Sequence, residues 1–319
     1  MNKIIYILAS AILAMGAVSC EKADSGVDYP APVPTSKIGK ALVNNTKQIA
    51  SLYKDSSYVL AKGVEVTELA YMSYDGVAQK MFFMEIDLNE KLTLDQVFSG
   101  GGDKFGKPKE PLSQVLYHYD SPDFHIYGAV NTDFGSNFWQ GPQGICIHNG
   151  VILKDEWPKS PIRPRCIFWM TKDKVAYCGE AADYEYAKAH YDIEEAFAGS
   201  PLFVENGRLK VIPQIDLSGR NPRTCVGVSE DGKKVWFMEV DGRRWTWSNG
   251  LDFPDMSEIM VAVGCYSAIN VDGGGTSTFV VRSKDDYTSN DRFEVRNWPY
   301  DFGGQERALW NGVAVVAEK

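Results

Sequence analysis

The chain has 319 residues, is 44% hydrophobic and carries a formal net charge of −9. That is enough apolar material for a sizeable core in one large or two small domains. The acidic balance, with no basic cluster, excludes nucleic acid as the main partner.

Residues 1–20 read as an export leader. Lys3 supplies the positive start and Ile4 to Val18 the apolar stretch, which is too short and poorly flanked for a spanning helix. Ala17-Val18-Ser19-Cys20 resembles a bacterial lipobox, which implies cleavage before Cys20 and lipidation of its thiol. Residues 21–35 hold Pro30, Pro32 and Pro34 and few large apolar side chains, so they read as a tether. The folded domain is then 36–319, anchored by lipid in the bacterial envelope, at the periplasmic or outer surface of the outer membrane.

The remaining cysteines are Cys146, Cys166, Cys178, Cys225 and Cys265. An odd number cannot complete a disulfide framework. Cys166 and Cys178 flank a predicted hairpin; they pair in an oxidising compartment, or remain two buried thiols. The four histidines are scattered and match no zinc-site spacing.

Ser36 to Leu52 is predicted helical, with Ser36 as N-cap. Val59 to Leu69 and Gln79 to Leu88 read as strands joined through a turn at Tyr74-Asp75-Gly76. Ser99 to Pro108 is a glycine-rich loop, Pro111 to Tyr119 a short helix, and Phe124 to Val130 a strand that delivers Asn131-Thr132-Asp133 at its end. Two segments then resemble each other. Asn149-Gly150 leads to Pro164-Arg165-Cys166, a strand, a turn at Lys172-Asp173 and a return strand. Asn206-Gly207 leads to Pro222-Arg223-Thr224-Cys225, a strand, a turn at Asp231-Gly232 and a return strand. Between them Ala181 to Ala198 is predicted helical, with Asp183, Glu185, Lys188, Glu194 and Glu195 on a solvated face.

Lys234 to Val240 is nearly all apolar, as in a strand covered on both faces. Met256, Ile259, Met260 and Val263 form one stripe of a helix, and Ala268 to Val271 is a further apolar run. Strand, helix and strand predict a crossover between parallel strands. Asp241 and Asp272 then leave the same edge of one sheet, where open sheets place ligands. Gly273-Gly274-Gly275-Thr276-Ser277 follows, as an anion-binding nest or a bare tight turn. The expected fold is α/β (α+β): a mixed β-sheet with short helices and a duplicated strand-hairpin unit.

Asn131-Thr132-Asp133-Phe134, Pro222-Arg223-Thr224, Asp241-Gly242-Arg243, Gly250, Glu258 and Asn270-Val271-Asp272-Gly273-Gly274-Gly275-Thr276-Ser277 occur in one order. Together they resemble the phosphodiester glycosidase family, from about Val59 to the C-terminus. Glu306-Arg307 and Val313 to Val316 resemble the family's last strand. Gly135, Val271 and Thr276 depart from its usual residues.

The resemblance implies hydrolysis of a sugar joined through its anomeric carbon to a phosphodiester. Such a leaving group lessens the need for a general acid. Positive charge must surround the phosphate, and Arg223, Arg243 and the amides of Gly273, Gly274 and Gly275 can supply it. A carboxylate must stabilise oxocarbenium character or activate water. Asp241, Asp272, Glu258 and Asp133 are the candidates, in that order. Asn131, Asn270 and Ser277 complete the predicted substrate-binding set. Each has a structural alternative: Asp241 starts a turn, Glu258 suits a helix's first turn, Arg223 pairs with a buried carboxylate, Asn270 ties down the glycine loop. No cofactor is required, although Asp133, Asp241 and Asp272 could hold calcium or magnesium in a metal-dependent phosphodiesterase. A glycan-binding surface lipoprotein without catalysis is the other alternative.

Overall fold

The structure, a computed structural model, describes residues 30–136, 140–158, 164–210 and 219–318. The leader, Cys20 and the first part of the tether lie outside the described residues.

Three β-sheets surround one core. The first has eight strands in the order Ser51–Ala61, Val64–Met72, Ala78–Asp87, Lys234–Val240, Arg223–Val228, Ser267–Asn270, Leu202–Glu205, Arg208–Leu209. The second runs Ala176–Glu180, Cys166–Thr171, Ile193–Gly199, Cys146–His148, Val151–Lys154. The third runs Phe293–Val295, Phe279–Arg282, Ile126–Asn131, Asn311–Ala317, Leu92–Phe98. Each turns one face inward. Phe82, Met84 and Phe237 from the first sheet meet Phe168 and Phe197 from the second and Val130, Phe279 and Val313 from the third. Each such fully buried side chain contributes about 1.5–3 kcal/mol.

The outer faces are covered by helices. Ile38 and Leu42 of helix Lys37–Asn45, with Met256, Ile259 and Met260 of helix Phe253–Ala262, cover the first sheet. Tyr184 and Ala187 of helix Tyr184–His190 cover the second. Leu112, Val115 and Leu116 of helix Leu112–Tyr119 cover the third. Ser36 caps the first helix as predicted, its Oγ accepting from Gly39 N at 2.8 Å.

The duplication is present in the topology. The second sheet, and the last five strands of the first, each consist of an Asn-Gly hairpin, a longer hairpin and a fifth strand reached through a helix, in the same spatial order. Asn149 and Asn206 both adopt φ near +50°, followed by a glycine of positive φ, as a two-residue hairpin turn requires.

Four expectations change. The first helix ends at Asn45 and a strand begins at Ser51, where helix was expected to Leu52. Val59 to Leu69 is a hairpin turning at Gly63 (φ +85°), not one strand. The helix after Ala181 ends at His190, and Ile193–Gly199 is a buried strand, so Glu195 lies in the interior at 1% exposure. The crossover from Lys234–Val240 to Ser267–Asn270 exists and joins strands of the same direction. Arg223–Val228 nevertheless lies between them and pairs antiparallel with both. The ladders between described strands are all antiparallel. All five described cysteines are free thiols. Cys166 stands opposite Glu180 and Cys178 opposite Phe168, so those two do not face each other.

Candidate active site

Strand ends from all three sheets meet at one place. The third sheet brings Asn131, Thr132 and Asp133 at the end of Ile126–Asn131, and Asn311 at the start of its neighbour. The first brings Asp272 just past Ser267–Asn270, and the second brings Arg165 just before Cys166–Thr171. Asn131 ties the junction: its Nδ2 donates to Asp272 O (2.6 Å), and its Oδ1 accepts from Thr224 Oγ1 (2.8 Å) and Thr278 N (3.1 Å). A cavity of about 140 Å³ opens there, lined by Asn131, Asp133, Asp272, Arg307, Trp310 and Asn311, among others.

Asp272 is the carboxylate most available to a ligand. Its Oδ1 accepts from Gly273 N at 2.9 Å, and the residue is partly exposed. Burial pushes its carboxyl up to about 6; the Asp133 charge adds to the rise, and the Thr276 hydroxyl, the Gly273 N–H and Arg307 oppose it. Asp133 differs. Its Oδ1 accepts from Phe134 N (2.7 Å) and from Arg165 Nη2, and its Oδ2 accepts from Gly144 N (2.6 Å). Three donors fix it as a positioned anion. Arg165 is itself nearly buried, so the pair is an interior one.

The cationic wall comes from residues that the motif reasoning did not assign to the site. Arg307 grips Asp301 through Nε and Nη2 (2.5 and 2.9 Å) beside Asp272. Lys109 stands over the Trp310 ring, 5.4 Å from its centroid, and both also line an adjoining open groove with Lys107 and Gln140. Trp310 Nε1 and Asn311 Oδ1 are buried without hydrogen-bond partners.

Arg243 reaches the same neighbourhood. Its Nε and Nη2 donate to Asn221 Oδ1 (3.1 and 2.8 Å), and its guanidinium lies over Tyr300 and abuts Gly274. Arg223 points elsewhere. It stands opposite Val240, whose side chain faces the helix-covered side of the first sheet. Its guanidinium stacks on Phe253 at 4.1 Å and donates to Gly219 O at 2.9 Å. Strand alternation puts Asp241, which follows Val240, on the opposite face.

Asp241 is therefore a correction. Its carboxylate takes Trp247 Nε1 (2.7 Å), Trp298 N (2.9 Å) and Asn297 Nδ2 (3.2 Å), and it does not line the cavity. Burial raises its pKa, and burial with the Asp241 charge raises Glu239 well above the usual range. Glu258 is a second correction. It accepts from Lys47 N at 3.0 Å and from Gln48 Nε2, tying the end of the first helix segment to helix Phe253–Ala262. Asp133, Asp241 and Asp272 do not converge as metal ligands. Among the described residues, the group that does is Asp95, His148 and Glu195.

The glycines work by close approach. Gly273 N donates to Asp272 Oδ1 and Gly274 N to Pro222 O (both 2.9 Å), so two of the three amides serve the loop itself. A Cβ at Gly273 would lie 2.8 Å from Pro222 O, and one at Gly275 would collide with Arg307 and Asp301. Asn270 Nδ2 donates to Ser200 O and Val271 O, each at 2.7 Å, and Asn270 does not line the cavity. Ser277 is buried at 1% exposure, its Oγ unpartnered, and it does not line the cavity.

Residues 124–316 match the model of the family described as phosphodiester glycosidase. Over 288 residues the chain is 38% identical to the SPbeta prophage-derived uncharacterized protein YomE of Bacillus subtilis (strain 168), covering 82% of this chain and 41% of that protein. The chain thus spans about two fifths of that relative's length. Two solved structures share the fold. One is the zebrafish N-acetylglucosamine-1-phosphodiester alpha-N-acetylglucosaminidase catalytic domain, auto-inhibited by its pro-peptide (TM-score 0.61, 14% identity, 84% of this chain and 89% of that one). The other is a hypothetical protein from Synechocystis (TM-score 0.53, 11% identity, 83% of this chain and 64% of that one). The family match extends over most of the chain and contains Asp133, Asp272 and Arg307: the chain belongs to the phosphodiester glycosidase family.

Proposed function

We propose that the protein hydrolyses the bond between a sugar's anomeric carbon and a phosphodiester, with Asp272 serving the sugar side. One observation carries the reading: a partly exposed carboxylate, pushed up to about 6, shares a small cavity with Arg307 and Lys109. A base of that pKa is ionised at neutral pH yet strong enough to take a proton from attacking water. Asp133, saturated with donors, adds negative charge that favours the oxocarbenium-like transition state. Arg307 and Lys109 neutralise the phosphate that departs. The cavity of about 140 Å³ is smaller than a typical ligand cleft of roughly 300–1,000 Å³, so it admits the reacting centre only. The rest of the substrate lies along the groove of Lys107, Lys109 and Trp310, where the indole can stack on a sugar.

We read the leader as directing this activity outside the cytoplasm, with the protein held to the membrane through Cys20. The test is purified protein against a panel of sugar-1-phosphodiesters, beginning with N-acetylglucosamine, the sugar in the zebrafish relative's name. Free sugar released by the parent and lost in Asp272→Asn supports the reading. Glycan binding without release from any member of the panel favours the non-catalytic alternative.

A further inference from the structure

We propose that Asp95, His148 and Glu195 form a binding site for a first-row divalent cation of the zinc type, separate from the cavity that holds Asp272. Asp95 comes from strand Leu92–Phe98 of the third sheet. His148 and Glu195 come from strands Cys146–His148 and Ile193–Gly199 of the second. The site therefore lies where two sheets meet, and one ligand atom from each residue falls within 4.8 Å of the others.

The spacing suits a metal. His148 Nδ1 is 2.9 Å from Glu195 Oε1 and 3.6 Å from Asp95 Oδ1. Four ligands held tetrahedrally at zinc distances are about 3.3–3.6 Å apart, so both separations need only a few tenths of an ångström of adjustment. One nitrogen and two carboxylate oxygens, with water in the fourth position, suit zinc better than calcium, which takes six to eight oxygens.

Charge points the same way. His148 is 3% and Glu195 1% exposed, and two carboxylates face a single imidazole there. Asp95 accepts no hydrogen bond from any described residue, although most of its side chain is buried. Glu194 and Asp103 add further negative charge nearby. Asp95, largely buried and without a donor, is the costly member of the group, and a cation would remove that cost.

The supporting groups are also in place. Gln96 N and Nε2 hold Glu195 Oε2 at 3.3 and 3.1 Å, and Asn149 N holds Oε1 at 2.9 Å. The Asn149 amide lies 3.0 Å from His148 Nε2; turned end for end, it accepts the Nε2 proton while Nδ1 binds the ion. Asp103 Oδ1, 4.0 Å from Nε2 on the exposed glycine-rich loop, is a second acceptor. The 15% exposure of the Asp95 side chain gives the ion a way in.

The experiment titrates Zn²⁺ into chelator-treated, full-length protein by calorimetry, with melting temperature followed in parallel. The parent is expected to bind one equivalent that Asp95→Asn lacks or binds at least ~10-fold more weakly, and to melt higher with zinc than without. Asp95→Asn removes one of two repelling carboxylates, so its metal-free melting temperature should equal or exceed the parent's. Glu195→Gln should lose the same equivalent; if it does not fold, Asp95→Asn decides alone. No saturable binding by the parent, or the same stoichiometry and affinity in Asp95→Asn, overturns the proposal.

Discussion

Asp133 and Asp272 line one cavity, yet Asp133 is held by Phe134 N, Gly144 N and Arg165, while the partly exposed Asp272 is held by Gly273 N and the Thr276 hydroxyl. Two carboxylates so close to each other divide their work by environment: the saturated one sets the field and the freer one reacts.

Asp272→Asn should lower kcat by ~10²-fold or more while leaving the fold intact. In the parent, kcat/KM should rise with pH through about 6, because the base must be ionised. The stability effect has the opposite sign. A carboxyl raised in the folded state contributes stability that is present below its unfolded value, near 3.9, and lost as pH rises through about 6. Melting temperature should therefore fall more steeply from pH 4 to pH 7 in the parent than in Asp272→Asn. A pH–rate profile falling through that range would show Asp272 acting as an acid instead.

Arg165→Met leaves Asp133 buried without its cation. Denaturant titration should show a loss of about 3–5 kcal/mol. Adding Asp133→Asn should recover part of that loss, because the two residues are directly coupled. Purely additive losses would mean the ion pair is not what holds this corner.

Gly275→Ala and Gly199→Ala should separate. At Gly275 the new methyl meets the tips of Arg307 and Asp301, which can swing aside; KM should rise with little change in melting temperature. At Gly199 it meets Asn270 O, backbone that also accepts from Ser200 N at 2.8 Å, so the protein should melt lower. Equal melting temperatures for both variants would contradict this packing argument.

Cys20→Ala should move the protein from the membrane fraction to the soluble fraction, or leave its leader uncleaved. Retention in membranes at the parental level, with normal processing, would end the lipobox reading.

Strand ends were the legible part of the site. Asp133 and Asp272 each follow an apolar run closely, so local pattern places them at sheet edges. Sheet neighbours are not local: nothing between Lys234 and Asp272 announces that Arg223–Val228 lies between the two strands. Register is equally hidden. A one-residue offset sends Arg223 to Phe253 and Asp241 to Trp247 and Trp298, on opposite faces. Glu258 carries no local sign that its partners are Lys47 and Gln48, far earlier in the chain. Glu195 looked solvated because Ala181 to Ala198 has helical composition, and only the strand pairing with Cys166–Thr171 buries it. Lys109, Arg307 and Trp310 are single loop residues with no periodic or motif signal beyond the position of Arg307 beside the last strand. The hairpin repeat, by contrast, was readable because Asn-Gly turns carry their own backbone conformation.

The most direct measurement is hydrolysis of a reactive sugar-1-phosphodiester in oxygen-18 water, with mass analysis of both products. Attack at the anomeric carbon, served by Asp272, places the label in the sugar and none in the phosphate. Label in the phosphate would mean that the P–O bond is broken, and the account of this site would be wrong.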